Sequence, residues 1–246
     1  MKNLIVIPAR AGSKRILNKN LIKIGSKPLI HYSIKTAIKL RNKVTSSTIV
    51  TISDSKEIKS YAKKLIKNKF DYNRPKNLSK DNTTTSDTVN HLVKFLSKEE
   101  KLNFDYIILL QPTSPIRNEK DILQGLRILE KKEKIDSVVS ISDTLEHIDD
   151  IVYKSKKRSW PPSNIIKGYN KLKNKNFFTI NGNFYITRMK FFKKNKTFFD
   201  YSKNSFFLKI DKKYSLDIDD NYDLYLARKL FKIWYAVYNK TILQKF

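Results

Sequence analysis

Residues 3–20 read NLIVIPARAGSKRILNKN, and the change of chemistry inside this stretch governs how the rest of the chain is read. Leu4-Ile5-Val6-Ile7 is an unbroken apolar run, the pattern of a strand buried on both faces of a sheet. Pro8 has no amide hydrogen for a central ladder, so the strand is expected to stop there. Directly beyond it come Ala9, Arg10, Gly12, Ser13, Lys14, Arg15, Lys19 and Asn20. A buried strand that discharges into small residues and cations presents backbone N–H groups and positive charge together, which is how α/β proteins hold a phosphate. Gly12 adds backbone freedom for close approach to a ligand. The spacing is neither GxxxxGK[ST] nor GxGxxG, so the mechanics of those two loops are not expected.

The downstream pattern repeats strand and helix. Thr48–Ile52, Asp105–Leu110 and Ser137–Ile141 read as further strands, the second of them strongly apolar. Helical spacing appears at Ile30, Ile34, Ala37 and Ile38, over Lys56–Asn68, from Ser86 or Asp87 with Asp87 as a candidate N-cap, and over Asp121–Glu133. This alternation predicts a mostly parallel sheet covered by helices on both faces, a three-layer α/β/α, Rossmann-like architecture. In such sheets ligands bind outside the carboxyl ends of the strands. The segment QPTSPIR, Gln111–Arg117, leaves the third strand at that end. Its amide, hydroxyls and guanidinium, on Gln111, Thr113, Ser114 and Arg117, suit a base, a sugar or a phosphate.

From Asp143 to Asn176 the periodicity decays, and the stretch 143–185 is expected to leave the sheet as a lid or dimer-forming excursion within a single domain spanning 1–246. Register returns in Thr179–Ile186, which carries Asn181, Gly182 and Tyr185. Asp217 and Asp219 stand two apart in an extended segment and so point to the same side. Such a pair suits Mg²⁺, which takes one or two carboxylates plus substrate phosphate oxygens. A closing helix from Asp223 is expected to pack Leu224, Ala227, Leu230, Phe231 and Trp234 inward.

The net charge is +28, from 51 Lys+Arg against 23 Asp+Glu, which favours an anionic partner. The lysines are scattered along the whole chain, so most of this charge reads as solvated surface rather than a nucleic-acid footprint. With no cysteine, disulfides and thiolate metal sites are excluded. His31, His91 and His147 lack close metal-ligand spacing, so zinc is not expected. No apolar run approaches the ~20 residues that span a bilayer. Nothing near Met1 has the form of a secretory leader, and a soluble, cytoplasmic chain is the expectation.

Taken together, Ile7-Pro8-Ala9-Arg10, Gly12-Ser13-Lys14, Lys19-Asn20, the Arg74-to-Thr84 segment, Leu109–Arg117, Asn181-Gly182 with Tyr185, and Ser215–Asp219 resemble the motifs of the CMP-N-acylneuraminate synthetases. That acylneuraminate cytidylyltransferase family includes legionaminic and pseudaminic acid cytidylyltransferases. The likeness runs from Asn3 to about Arg228 and is poorest between Pro162 and Phe177. It implies a nucleotide-diphosphosugar-transferase-like fold, a homodimer, and Mg²⁺-dependent reaction of CTP with a nonulosonic acid to give CMP-sugar and pyrophosphate. By the same likeness Ala9, Arg10, Gly12, Ser13, Lys14, Lys19, Asn20, Arg74, Asp81 and Thr85 would bind nucleotide. Gln111, Thr113, Ser114, Arg117, Asn181 and Tyr185 would bind sugar. Asp217 and Asp219 would hold the metal and, with Arg10 and Lys19, form the catalytic set. Arg15 stands where many sialic enzymes carry glycine, and the acid stays open between neuraminic, legionaminic and pseudaminic. A 3-deoxy-manno-octulosonate cytidylyltransferase is the alternative of the same class. A polyanion- or nucleic-acid-binding protein is the alternative from another class. It would need the doublets Phe177-Phe178, Phe191-Phe192 and Phe198-Phe199 to be exposed among the cations.

Overall fold

The computed structural model describes residues 1–44, 46–67, 72–79, 82–144, 152–154, 159–160 and 176–243. In chain order the strands are β1 (Asn3–Pro8), the short hairpin β2 (Lys23–Ile24) and β3 (Lys27–Pro28), β4 (Ser47–Ile52), β5 (Tyr106–Leu109) and β6 (Ser137–Asp143). A small pair, β7 (Tyr153–Lys154) and β8 (Ser159–Trp160), precedes β9 (Phe178–Arg188) and β10 (Ser205–Lys209). The α-helices are α1 (Leu29–Lys43), α2 (Lys56–Ile66), α3 (Thr85–Lys98), α4 (Glu119–Lys131), α5 (Met189–Asn195) and α6 (Asn221–Leu243).

Six strands form one sheet in the order β10-β6-β9-β5-β1-β4. β1 pairs parallel with β4 and β5, and β10 pairs parallel with β6. β9 runs antiparallel between β5 and β6, so the sheet is mixed but mostly parallel. The expected α/β architecture is therefore the observed one. Leu4 to Ile7 are all fully buried, and the two-residue period of a strand divides them between the layers. Ile5 and Ile7 pack with residues of α1, α2 and α4, among them Ile34, Ile58 and Leu126. Leu4 and Val6 pack on the other face with Val89 and Leu92 of α3 and Phe192 of α5.

Several local expectations change. The N-cap of α3 is Thr84 rather than Asp87, because a hydroxyl there completes a reciprocal capping box. Thr84 Oγ1 accepts the Asp87 N–H and the Asp87 carboxylate accepts the Thr84 N–H, each at 3.0 Å. Leu230 is exposed, since Leu224, Ala227 and Phe231 already fill the inward face of α6. The side chain of Trp234 lies outside the described residues. Phe191, Phe192 and Phe198 are buried, so two of the three phenylalanine doublets contribute to the core and not to an exposed stacking surface. Of the excursion expected over 143–185, residues 145–151, 155–158 and 161–175 lie outside the described residues. In the described part β7 and β8 form a separate antiparallel pair, whereas residues 178–185 do not leave the sheet but begin β9 between β5 and β6. No helix among the described residues is long and apolar enough to cross a membrane.

One irregularity matters for the site. Val139 pairs with Tyr185 and Ile141 pairs with Ile180, so Asn181 to Phe184 of β9 stand opposite the single residue Ser140. Ser140 holds this bulge. Its Oγ donates to Asn181 Oδ1 at 2.7 Å and accepts the Phe184 N–H at 3.0 Å. Gly182 sits in the bulge with φ +68°, the left-handed conformation that glycine adopts without strain. A Cβ there would lie 2.8 Å from Gln111 Oε1. The bulge thus brings β9 against the segment that leaves β5.

Candidate active site

A cavity of about 600 Å³ opens at the carboxyl ends of β1 and β5. Arg10, Lys14, Arg15, Lys19 and Arg74 line it, with Asp219 in reach of Arg15 and Lys19. Thr83, Thr85 and Thr88 line one wall, so the positive N-terminal end of α3 faces the same space.

The loop after β1 is held by its backbone. Ala9 N–H donates to Ile52 O at 2.8 Å, Ala11 N–H donates to Asp54 Oδ1 at 2.8 Å, and Asn20 Nδ2 donates to Arg10 O at 2.9 Å. Asn20 is buried, and Ala9 is fully buried behind the wall. Gly12 has open space where a Cβ would stand, and a positive φ occurs only at Gly25 and Gly182 among the described glycines. The backbone freedom expected of Gly12 is therefore not used in this conformation. Ser13 and Lys14 line the cavity directly.

Lys19 is the most constrained cation on the wall. Its side chain is 14 % exposed, and Nζ donates to Ile218 O at 2.9 Å and to Asp219 Oδ1 at 3.3 Å. Arg15 approaches Asp219 Oδ2 at 3.6 Å but is 67 % exposed. Arg74 donates to Leu78 O. Burial lowers its pKa, the neighbouring Asp54 opposes that, and Arg10 reinforces it. Asp81 lies outside the described residues.

On the opposite side, Gln111 and Thr113 line the cavity. Ser114 is buried, and its Oγ lies 3.4 Å from Asp217 Oδ1 and 3.5 Å from Asn181 O. Arg117 is buried behind the cavity. Its Nε donates to Asn183 O at 2.7 Å and Nη1 to Ser33 Oγ at 2.9 Å, and Nη2 donates to Gln111 O. Burial lowers its pKa to about 9, with Asp217 pulling the other way. Asn181 is 5 % exposed, and its Nδ2 has no partner among the described residues. A buried amide donor without an acceptor is costly, so this nitrogen suits a ligand oxygen or a water.

Tyr185 stacks on Phe199 at 5.9 Å between centroids. Its hydroxyl is pushed up to about 12 by burial, with Asp217 and Tyr201 adding to the effect. Tyr201 and Phe207 stack in turn at 6.3 Å. An aromatic row thus leads away from the Asp217 end of the site. The sequence pattern did not mark it, because its members lie on β9, β10 and the segment between.

Asp217 and Asp219 flank Ile218, which is fully buried and donates its N–H to Thr113 O at 2.8 Å. Asp219 lines the cavity, while Asp217 does not and instead accepts from the buried Ser114 hydroxyl. Burial raises the Asp217 pKa, and the charge of Asp219 raises it further, while Thr113, Lys19 and Ser114 oppose the shift. Two adjacent carboxylates, one of them desolvated, form a hard-oxygen donor set that a small divalent cation relieves. The position of a Gly182 Cβ would fall 3.3 Å from Asp217 Oδ2 and 2.8 Å from Gln111 Oε1, so further oxygens face the same point. Among the described residues no group of three or more His, Asp or Glu converges, so such a cation would complete its shell with substrate and water oxygens. The pair fits Mg²⁺ on these grounds.

Comparison with known proteins follows the same line. A family model described as cytidylyltransferase matches residues 4–242. A CMP-N,N'-diacetyllegionaminic acid synthase from Legionella pneumophila is 33% identical over 247 residues, covering 95% of this chain and 97% of that protein. An N-acylneuraminate cytidylyltransferase from Escherichia coli O18:K1:H7 is 29% identical over 245 residues, covering 92% of this chain, which spans about half (51%) of that longer protein. A pseudaminic acid cytidylyltransferase from Campylobacter jejuni is 40% identical over 124 residues, covering 50% of this chain and 51% of that one. Among solved structures, a CMP:2-keto-3-deoxy-manno-octonic acid synthetase complexed with CTP superposes with a TM-score of 0.65 at 17% identity, over 94% of this chain and 99% of the other. A 4-diphosphocytidyl-2C-methyl-D-erythritol synthase from Anaerococcus prevotii gives 0.60 at 12% identity, over 94% and 96%. These two likenesses concern the fold. With the match extending over nearly its whole length, this chain belongs to the cytidylyltransferase family.

Proposed function

We propose that this chain activates an N-acylated nonulosonic acid with CTP, giving a CMP-sugar and pyrophosphate, with Mg²⁺ held by Asp217 and Asp219. The observation that carries this reading is a single cavity lined by five cations, two of which reach Asp219 of the acidic pair. A triphosphate matches that concentration of positive charge, and relatives named for legionaminic, neuraminic and pseudaminic acids supply the substrate class.

In this reading the sugar's anomeric oxygen forms a bond to the α-phosphorus as the bond from that phosphorus to the bridging oxygen of pyrophosphate breaks. The hydroxyl proton passes to solvent or to a neighbouring base. Mg²⁺, when bound, neutralises phosphate charge and lowers the pKa of the attacking hydroxyl. Arg10, Lys14, Lys19 and the amides of residues 12–14 hold the β- and γ-phosphates and stabilise the departing pyrophosphate. Asn20 fixes the carbonyl of Arg10, and Arg74 with Thr85 faces the nucleotide. Gln111, Thr113, Ser114 and the free amide of Asn181 receive the sugar acid. Tyr185 and the aromatic row give its acyl substituent an apolar wall. Holding both substrates in line can itself remove ~7–11 kcal/mol from the barrier. The reading includes one cytidylyltransferase domain over 1–246, the part of the 143–185 stretch ahead of β9 as a lid or dimer contact, a homodimer in solution and a cytoplasmic location.

The test is pyrophosphate release from CTP and Mg²⁺ with a panel of N-acetylneuraminic, legionaminic, pseudaminic and 3-deoxy-manno-octulosonic acids. Release with one N-acylated acid, abolished by EDTA and by Asp217→Asn with Asp219→Asn, is the expected outcome. Release with 3-deoxy-manno-octulosonic acid alone would reassign the substrate. Metal-dependent turnover that survived both substitutions would remove the acidic pair from the metal site.

A further inference from the structure

Asp54 stands just beyond the end of β4 and does not line the cavity. It is not needed to start α2, because Ser55 is the N-cap there, its Oγ accepting the Ile58 N–H at 3.2 Å. The Asp54 carboxylate turns to the phosphate-side loop instead, where Oδ1 accepts the Ala11 N–H at 2.8 Å. Ala9, Arg10 and Ala11 are consecutive, and each is tied by a different partner: the carbonyl of Ile52, the amide of Asn20 and the carboxylate of Asp54. Arg10 is the middle of the three, so the two ties on either side fix the backbone from which its side chain enters the cavity. Asp54 also lies close enough to Arg74 to favour that cation, against which Arg10 acts.

We propose that Asp54 is a positioning residue which, by accepting the Ala11 N–H, sets the backbone of residues 9–11 so that Arg10 and the following amides face the terminal phosphates of CTP. This rests on the reading of the cavity as a CTP site. The carboxylate charge works the other way, because an anion beside a polyanion site repels it at long range. Geometry and charge therefore predict opposite signs, and Asn separates them from Ala. Asn keeps an oxygen acceptor at the same place and removes the charge, whereas Ala removes both.

The experiment is titration calorimetry of CTP and of CMP with Mg²⁺ on the wild-type chain, Asp54→Asn and Asp54→Ala, with the melting temperature of each. A disordered loop must be ordered on binding, so Asp54→Ala is expected to weaken CTP about tenfold while CMP changes less than about twofold. Asp54→Asn is expected to bind CTP at least as tightly as wild type. An unchanged CTP-to-CMP ratio in Asp54→Ala would overturn the proposal. So would Asp54→Asn as weak as Asp54→Ala, or equal weakening of both nucleotides with a lowered melting temperature. A wild-type chain that bound neither nucleotide would overturn the CTP reading itself, and the wild-type titration alone reveals that case.

Discussion

The loop after β1 and the loop after β5 carry the same kind of sequence, an arginine a few residues beyond a buried strand, yet they use it in opposite ways. Arg10 is half-buried and lines the cavity. Arg117 is 8 % exposed, and its guanidinium bonds to Asn183 O, Ser33 Oγ and Gln111 O. The first loop is ordered by its backbone amides and carbonyls, which leaves its cations at the mouth. The second is ordered by its arginine, which leaves its amide and hydroxyls at the mouth. A cation belongs to a binding surface only where something else holds the chain. The same contrast separates a phosphate side rich in charge from a sugar side built of hydrogen-bonding groups and an aromatic row.

The sharpest way to break this contrast is to remove one cation from each side. Lys19→Ala is expected to lose at least about a hundredfold in turnover, since a single charge-stabilising donor typically contributes ~3–4 kcal/mol to such a barrier. Its melting temperature should fall only slightly, because the substitution removes one hydrogen bond to Ile218 O and one ion pair to a half-exposed Asp219. Turnover near the wild-type rate would take Lys19 out of the site. Arg117→Met should do the reverse. Two carbonyls and a hydroxyl lose their donors in a buried place at ~1–3 kcal/mol each, partly offset by relief of a buried charge. A net loss of about 3 kcal/mol, or roughly 10 °C in melting temperature, is expected before any defect specific to one substrate. An unchanged melting temperature with lost affinity for the sugar acid would return Arg117 to the substrate, as its motif suggests.

Gly182→Ala sharpens the comparison from the sugar side. The residue has φ +68° and its Cβ would stand 2.8 Å from Gln111 Oε1. Backbone strain of ~1–3 kcal/mol is expected, together with a displaced Gln111 amide. The KM for the sugar acid should rise more than the KM for CTP in steady-state kinetics. Equal rises would mean that Gln111 serves the nucleotide.

What could be read from the sequence was what local chemistry encodes. Leu4–Ile7 could only be a strand buried on both faces, and the cations after Pro8 could only be a surface. Asp217 and Asp219 straddle Ile218, so the two-residue period already separated the core from the cavity. The fate of Arg117 was not legible, because its three acceptors belong to α1, to β9 and to Gln111 at the end of β5 itself. Nor was the bulge opposite Ser140, since a plain alternating pattern describes Asn181–Phe184 equally well. Nothing local in the sequence tells whether Phe191, Phe192 and Phe198 point inward or outward among the lysines. The seven-residue α5 and the segment after it bury all three and turn Phe192 and Phe198 into the cluster of Met189 and Leu109, a packing that becomes visible only once β9 is placed beside β5.

The smallest effect concerns the helix whose N-terminus meets the cavity. Thr84 caps α3 one residue before Thr85, and Asp87 completes the box. Thr84→Ala is expected to cost about 1 kcal/mol near neutral pH, the usual value of an N-cap hydroxyl. The hydrogen bonds from the Thr84 hydroxyl and amide hold the Asp87 carboxyl below its ordinary range. A group whose folded pKa is depressed stabilises the fold above its unfolded value, about 3.9, and loses that contribution as pH falls through the folded value. The difference between wild type and Thr84→Ala should therefore shrink in urea titrations below about pH 4. It should not vanish, because the Asp87 N–H still loses the Thr84 oxygen at every pH. A gap that stayed constant with pH would show that the hydroxyl contributes only through that N–H, and that its own hydrogen bond to the Asp87 carboxylate is idle.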